Sequence, residues 1–326
     1  MKRLALLALL VWPAASQPER LRLISRIPIG EVQQGKLVRA WLCGDDLVFV
    51  TNREGELIAV DTAHESVLYR KTFPELMGLG GCTCDDRGFV YFSLHRPEGA
   101  FVRIYSLGSQ GALNFERSFR TTGRLDRLLV AGNQLYGVGL ARIGSDYVFL
   151  RRFLLPEGLY LGSPEVGVPM RVGGEPINRF AVDGTLFWHP GRKQVVYLPA
   201  NPFELWRLDL NGKAVGVERP PITDFIAAPP GTSGNRDFLT FDRVDNAAAL
   251  PDGRIAVLVV FGTRRPGGGS FLAVLDADLQ PTGIQIPLAP EMNYLLGASS
   301  DGTLYFADLV VPAVGTSSIV KARLTF

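Results

Sequence analysis

Three arginines recur at one place in a repeating pattern. In "KLVRAWLCG", "RLDRLLVAG" and "INRFAVDG", Arg39, Arg127 and Arg179 each stand five residues before a glycine, at Gly44, Gly132 and Gly184. A guanidinium keeps its charge at any physiological pH and offers a fork of donors that fits carboxylate or phosphate. Several of them around one low-dielectric opening would concentrate an anionic ligand. Arg243 lies in a comparable stretch, "FDRVDN", without the same spacing. Asn178 and Asn293 add groups that could orient a ligand, and Tyr294 adds a ring that could stack on it. The expected ligand-binding set is therefore Arg39, Arg127, Asn178, Arg179, Arg243, Asn293 and Tyr294. Further cations, Arg53, Arg96, Arg142, Arg192, Lys193, Arg264 and Arg265, fall in what read as later loops of the same repeat. The bland counterpart is that these arginines pair with Asp126, Glu175, Asp242 or Glu291.

Other chemistries have thinner support. Asp126, Asp245, Asn246 and Glu291 are the oxygen-bearing residues that a divalent metal such as calcium would need near the same opening. No cofactor is expected on the leading reading, and such a metal belongs to the alternative. Asp45-Asp46 and Asp85-Asp86 sit in tight turns, where aspartate is ordinary turn chemistry. The histidines, His64, His95 and His189, are far apart in the sequence. No Ser/His/Asp order or Gly-x-Ser-x-Gly elbow is present. Among the cysteines, Cys43, Cys82 and Cys84, the odd count leaves at least one thiol unpaired within the chain. Cys43 and Cys84 hold similar places in adjacent repeats, and a bridge between them requires α-carbons within about 7 Å.

The elements that must carry these residues are short strands. No long stretch places apolar residues at helical spacing after the first residues. What recurs is an apolar run, a Gly/Asp/Asn turn and an alternating run of β-branched or aromatic residues, which is hairpin grammar. The hairpins "WLCGDDLVFVTN", "CTCDDRGFVYFSL", "LLVAGNQLYGVGL", "FAVDGTLFWHP", "ALPDGRIAVLVVF" and "ASSDGTLYFADL" align on Gly44, Asp86, Gly132, Asp183, Asp252 and Asp301. Their spacings are 42, 46, 51, 69 and 49 residues. Each is followed by a third strand and room for a more polar fourth. Such periods signify a β-propeller, in which small sheets stack face to face around an axis. The last unit ends after its third strand, "SSIVKARLTF", while "RLRLISRIPIG" (Arg20 to Gly30) is a strand with no hairpin of its own. The expected architecture is all-β: a six-bladed propeller over residues 17–326, its last blade closed by the strand at 20–30. The 69-residue gap holds a Pro- and Gly-rich segment, Gly216 to Val244, read as an outer strand and a long loop.

The repeated "DGTLYFAD"-like hairpin resembles the six-bladed propellers of the NHL-type group, across the whole chain after its first residues. That resemblance implies the fold; its members include binding modules, lactonases and lyases, so it implies no single chemistry. The "EGP" segment of gluconolactonase-type lactonases has no counterpart before the first blade, since "PEG" occurs only at Pro97–Gly99 and Pro156–Gly158. The amidating lyases hold metal with several histidines that this chain does not match. No catalytic residue transfers from either group.

The chain opens "MKRLALLALLVWPAASQPER": Lys2 and Arg3, then nine apolar residues from Leu4 to Trp12, then small residues before Gln17. That order is a secretory signal, expected to be cut after Ser16, with a secreted or periplasmic product. Removing it lowers Lys+Arg from 34 to 32 against 32 Asp+Glu, which leaves a neutral chain and argues against nucleic acid as a partner. No later run reads as a membrane span. The expected function is an exported, monomeric, non-catalytic binding module for an anionic small ligand or a protein or peptide segment. The alternative is a metal-dependent hydrolase or lyase of the lactonase kind. A third reading is a structural module that tethers a partner through its free cysteine.

Overall fold

The computed structural model describes residues 20–31, 38–52, 54–144, 146–164, 166, 171–172, 175–176, 183–223, 225–229, 232, 239–265, 268–309 and 316–325. Six four-stranded antiparallel sheets account for nearly all of its regular structure. Their first strands are Val38–Cys43, Leu79–Cys84, Arg127–Ala131, Thr185–His189, Arg243–Ala249 and Tyr294–Ala298. Each first strand contacts the next, and the sixth contacts the first, so they form a closed ring around a channel. The architecture is a six-bladed β-propeller.

Polarity along each blade follows from this geometry. Second strands have neighbours on both faces, and the sequence supplies apolar residues at nearly every position: Leu47–Asn52 and Ile255–Val260 are almost wholly buried. Fourth strands lie at the rim, and Ser66–Thr72 and Leu113–Thr121 are mostly exposed. Between blades the cores are continuous. Phe187, Val196 and Leu205 of blade 4 pack with Val244, Val257 and Phe271 of blade 5.

The strand Arg20–Gly30 is the outermost of the sixth blade, as expected. It pairs antiparallel with Ser317–Thr325, from Arg20 opposite Thr325 to Gly30 opposite Ser317. Ile27 and Ile29 enter the core between blades 6 and 1, beside Val50, Ile58, Tyr305 and Ile319. Burial of each isoleucine contributes about 2 kcal/mol. Blade 1 also grips this strand: Arg70 donates to the carbonyls of Ile29 at 2.5 Å and Glu31 at 2.8 Å. Across the same seam, Lys321 donates to the Thr62 carbonyl at 2.9 Å.

Blade 4 departs from the expected register. Asp183-Gly184 was expected to turn the inner hairpin. Instead Thr185–His189 is itself the innermost strand, and its hairpin turns at Pro190–Lys193 before Gln194–Leu198. The glycines explain the difference. Gly44 and Gly132 turn with left-handed φ of 64° and 61°. Gly184 has no such φ; a Cβ there would lie 1.9 Å from the Leu198 carbonyl oxygen, so glycine is required for close approach rather than for turning. Consequently Arg192 and Lys193 lie in the inner turn, not in a second-to-third-strand loop, and His189 ends a first strand rather than a second. Asn178, Arg179, Arg53 and the side chain of Glu175 lie outside the described residues, as does the segment read as a signal.

Cys43 and Cys84 end the first strands of blades 1 and 2 and form a disulfide, with α-carbons 5.3 Å apart. Cys82 is the free cysteine; burial pushes its thiol pKa well up, which suits a packed residue better than a surface tether. The bridge closes 41 residues. Restricting an unfolded loop of that size stabilises the fold by about 4 kcal/mol in the chain-entropy treatment. A Cys43→Ala/Cys84→Ala variant is expected to lose most of that in urea denaturation, and reductant is expected to shift the parent protein but not the variant. An unchanged midpoint in both comparisons would show that the bridge contributes nothing.

Candidate functional site

At the end of the channel where the first strands begin lies a cavity of about 150 Å³. Its polar lining comes from residues at or near the starts of those strands, Arg39, Asp126 and Arg127, Thr185 and Tyr294, and from Asn246 within the first strand of blade 5. The rim is polar because each first strand enters from a surface loop. Below it the same strands turn apolar as they reach the blade cores.

Arg127 spans the channel from blade 3. Its Nη1 donates to Tyr294 Oη at 2.8 Å and its Nη2 donates to the Asp245 carbonyl at 3.0 Å. The Asp245 carboxylate stands 3.5 Å from Nη2, and the guanidinium carbon lies 5.8 Å from the Tyr294 ring centre. Burial works against this charge, but Tyr294, Asp245 and Asp183 outweigh it and push the Arg127 pKa up. On the neighbouring side, Asp126 is held by Arg124 at 2.5 Å, whereas Arg39 approaches the same oxygen only to 3.9 Å. Thr185 donates to Asn246 Oδ1 at 2.5 Å, and Asn246 donates to the Leu295 carbonyl at 2.7 Å.

A buried arginine fixes the loop that carries this charge. Arg151, fully buried in the third strand of blade 3, donates to the carbonyls of Gly123 at 3.1 Å, Arg124 at 2.5 Å and Gly139 at 2.7 Å, and to that of Thr122. Four carbonyls in place of a carboxylate leave the charge poorly compensated, and burial pushes its pKa down to about 10. The segment leading into Asp126 and Arg127 is thereby pinned.

Asp183 is the residue that sequence reading took for a turn. It lies just before Thr185, and the charges of Arg127, Asp126, Arg39 and Asp245 all act on it. Burial raises its pKa; Arg127 opposes that shift and Asp126 reinforces it. Among the described residues, Nε of Arg39, Arg124 and Arg127, Oδ1 of Asp183 and Oδ2 of Asp245 are buried without a hydrogen-bond partner. Orphans of this kind are costly, and their gathering at one opening is the strongest local signal in the molecule. The indole Nε1 of Trp41, which also lines the cavity, is another.

The remaining expected residues disperse. Asn293 donates to the Pro290 carbonyl at 3.0 Å, within its own turn. Arg243 opens the first strand of blade 5, apart from the residues that line the cavity. Glu291 pairs at 3.1 Å with Arg26 of the closing strand. Among the loop cations, Arg265 holds the fully buried Asp242 at 2.7 Å, and Arg264 lies 4.3 Å over the Phe241 ring. Arg96 caps the carbonyls of Pro74, Glu75 and Met77, Arg142 donates to the Gly144 carbonyl, and Arg192 pairs with Asp278. Asp85 serves its own turn, accepting from the Arg87 and Phe89 amides, and Asp45 accepts from the Ser300 amide of blade 6. Among the described residues, no group of three or more His, Cys, Asp or Glu could hold a metal ion.

No family model matches the sequence, and no curated protein matches it. The fold is shared widely. A member of the DUF4221 family from Bacteroides vulgatus superposes with a TM-score of 0.61 at 12% identity, over 94% of this chain and 98% of that one. An exported-protein candidate from Bacteroides fragilis gives 0.59 at 10% identity, over 94% and 96%. A hydrazine synthase chain from Kuenenia stuttgartiensis gives 0.51 at 12% identity, over 84% and 76%. At these identities the likeness is one of fold alone. Among the described residues, no helix is long and apolar enough to cross a membrane.

The raised pKa of Asp183 has a direct consequence for stability. A carboxyl whose folded pKa exceeds its unfolded value favours the fold fully below the unfolded pKa, and this contribution is lost as pH rises through the folded pKa. Asp183→Asn stays neutral throughout. Its stability relative to the parent is therefore expected to improve as pH rises from 4 to 7 in urea titrations. Denaturation midpoints that run parallel over that range would show that Asp183 is not strained by burial.

Proposed function

We propose that this chain is an exported, non-catalytic binding propeller that takes a small anionic ligand at the channel mouth. The observation that carries this is the state of Arg39. Its side chain is only 16% exposed, it approaches the Asp126 carboxylate, already paired with Arg124, only to 3.9 Å, and among the described residues its Nε has no hydrogen-bond partner. A guanidinium so sheltered and so little compensated is stabilised by an incoming anion.

The mouth gathers charges of both signs. Arg39, Arg124 and Arg127 face Asp126, Asp183 and Asp245. Arg127 and Tyr294, locked to each other, act as a preformed wall. Asn178 and Arg179 stay in the proposal on their place in the sequence alone. Export rests on the order of charged, apolar and small residues before Gln17.

The metal-dependent alternative gains no support from the mouth. Asp126 and Asp245 already neutralise guanidinium groups, and Glu291 pairs with Arg26. A divalent cation entering there would meet Arg39, Arg124 and Arg127 at close range.

Calorimetric titration with inorganic phosphate and small mono- and dicarboxylates at pH 6 tests the reading. At least one anion is expected to bind the parent, and Arg39→Ala is expected to weaken it about 10- to 100-fold, the range for a charged hydrogen bond. Arg39→Lys restores the charge without the fork and falls between. Equal affinity in parent and Arg39→Ala, or no anion bound by the parent, overturns the assignment.

A further inference from the structure

We propose that the outer edge of blade 2 docks an acidic, extended segment of a partner protein, which adds a fifth strand to that blade. The site lies at the rim of the propeller, away from the channel mouth, and does not depend on the anion-binding reading.

An outermost strand has backbone donors and acceptors along one side that its own sheet leaves unused, and proteins blunt such edges with short strands or proline. Most of the outer strands here are blunted in that way. Leu159–Gly162 and Ala214–Glu218 have four and five residues, Pro281–Pro287 begins and ends with proline, and Arg20–Gly30 contains Pro28. The fourth strand of blade 2, Leu113–Thr121, runs nine residues without proline and is mostly exposed. Its pairing with the third strand, Gly99–Leu107, is regular from Ala100 opposite Thr121 to Ile104 opposite Arg117, and the single irregularity falls at Glu116. The run from Arg117 to Thr121 is thus a straight edge on which an extended peptide can complete a ladder.

The side chains along that edge select the partner. On the face toward blade 1, the register sets Phe101 opposite Arg120, Arg103 opposite Ser118 and Tyr105 opposite Phe115. The Arg103 guanidinium reaches from the third strand to the fourth and lies 5.6 Å from the centre of the Phe115 ring, which is 56% exposed. That of Arg120 lies 5.6 Å over Phe101. Blade 1 meets this face with Tyr69, which donates to the Gly111 carbonyl of blade 2 at 3.0 Å, and with the exposed Lys71 on the same side of its strand. Among the described residues, Lys71, Arg103, Arg117 and Arg120 form no ion pair. Glu116 belongs to the other face, where Ser106 donates to it at 2.6 Å. A guanidinium laid on a ring keeps its edge donors free for a carboxylate and has less freedom left to lose on binding. These cations repel a second copy of the same strand, so the occupant is acidic. Side chains of an added strand alternate between faces, and carboxylates at every second position meet Arg103 and Arg120 together. A nucleic acid offers charge and rings to stack, but no backbone to complete the ladder.

The test is fluorescence anisotropy of a labelled octapeptide of alternating glutamate and valine, titrated with the intact protein. Saturable binding that weakens as salt rises is expected. Arg103→Gln and Arg120→Gln are each expected to weaken it about two- to fivefold, the range for exposed ion pairs. N-methylation of one alternate set of peptide amides, which leaves the protein untouched, is expected to abolish binding, and methylation of the other set to spare it. A peptide that does not bind, or that binds no better than its lysine–valine counterpart, overturns the proposal. So do undiminished affinity in the Arg103→Gln/Arg120→Gln protein, equal effects of the two methylated sets, and tighter binding of an oligothymidylate. Loss of peptide binding in Arg39→Ala would move the peptide to the channel mouth and overturns the proposal while leaving the mouth as a binding site.

Discussion

A four-stranded sheet of apolar second and third strands has two faces to bury and, among the described residues, no helix long enough to cover either. The molecule resolves this by making every blade the cover of its neighbours, which works only if the ring closes. Closure therefore conditions everything else: the continuous cores between blades, the convergence of six first strands on one axis, and the low-dielectric shaft where a few charges can matter. The ladder between Arg20–Gly30 and Ser317–Thr325 supplies it, with Ile27 and Ile29 filling the seam and Arg70 and Lys321 bridging from either side.

Within the shaft the charges do two different jobs. Arg127 is consumed by structure: its donors end on Tyr294 and on the Asp245 carbonyl, three blades joined by one side chain. Arg151 does similar work one layer back, on carbonyls rather than carboxylates. Arg39 stands beside them with a 3.9 Å approach to Asp126 and, among the described residues, an Nε without a hydrogen-bond partner. The same residue type at nearly equivalent strand positions thus differs in its partners according to what the adjacent blade presents, and the proposed recognition role of Arg39 rests on that difference.

Much of the architecture was legible because hairpin turns and strand polarity are local properties. The alternation after Gly44, Asp86, Gly132, Asp252 and Asp301 marked five of the inner hairpins, and an unpartnered strand at Arg20–Gly30 matched a blade short of one. Asp183-Gly184 misled because Asp-Gly is equally good at turning a chain and at squeezing past a carbonyl; only the distance to Leu198 distinguishes the two. Arg39, Arg127 and Tyr294 were found by their recurring place at strand entries. Their partnerships were not, since the 167 residues between Arg127 and Tyr294 and the 118 between Arg127 and Asp245 leave no local trace. Asp183 and Trp41 were missed for the same reason: burial without a partner is a property of the assembled ring. The loop cations read as a second ring proved to be tied locally, Arg265 to Asp242 and Arg192 to Asp278.

The sharing of one blade between distant segments also sets an order of events during synthesis. A ribosome makes Arg20–Gly30 before any other strand of the propeller, yet its only ladder partner, Ser317–Thr325, is the last strand to emerge. Each earlier blade can pack on its predecessor as it appears, but the leading strand must wait, with Ile27 and Ile29 uncovered, until translation reaches the far end. The clasp forms only when both of its strands are available.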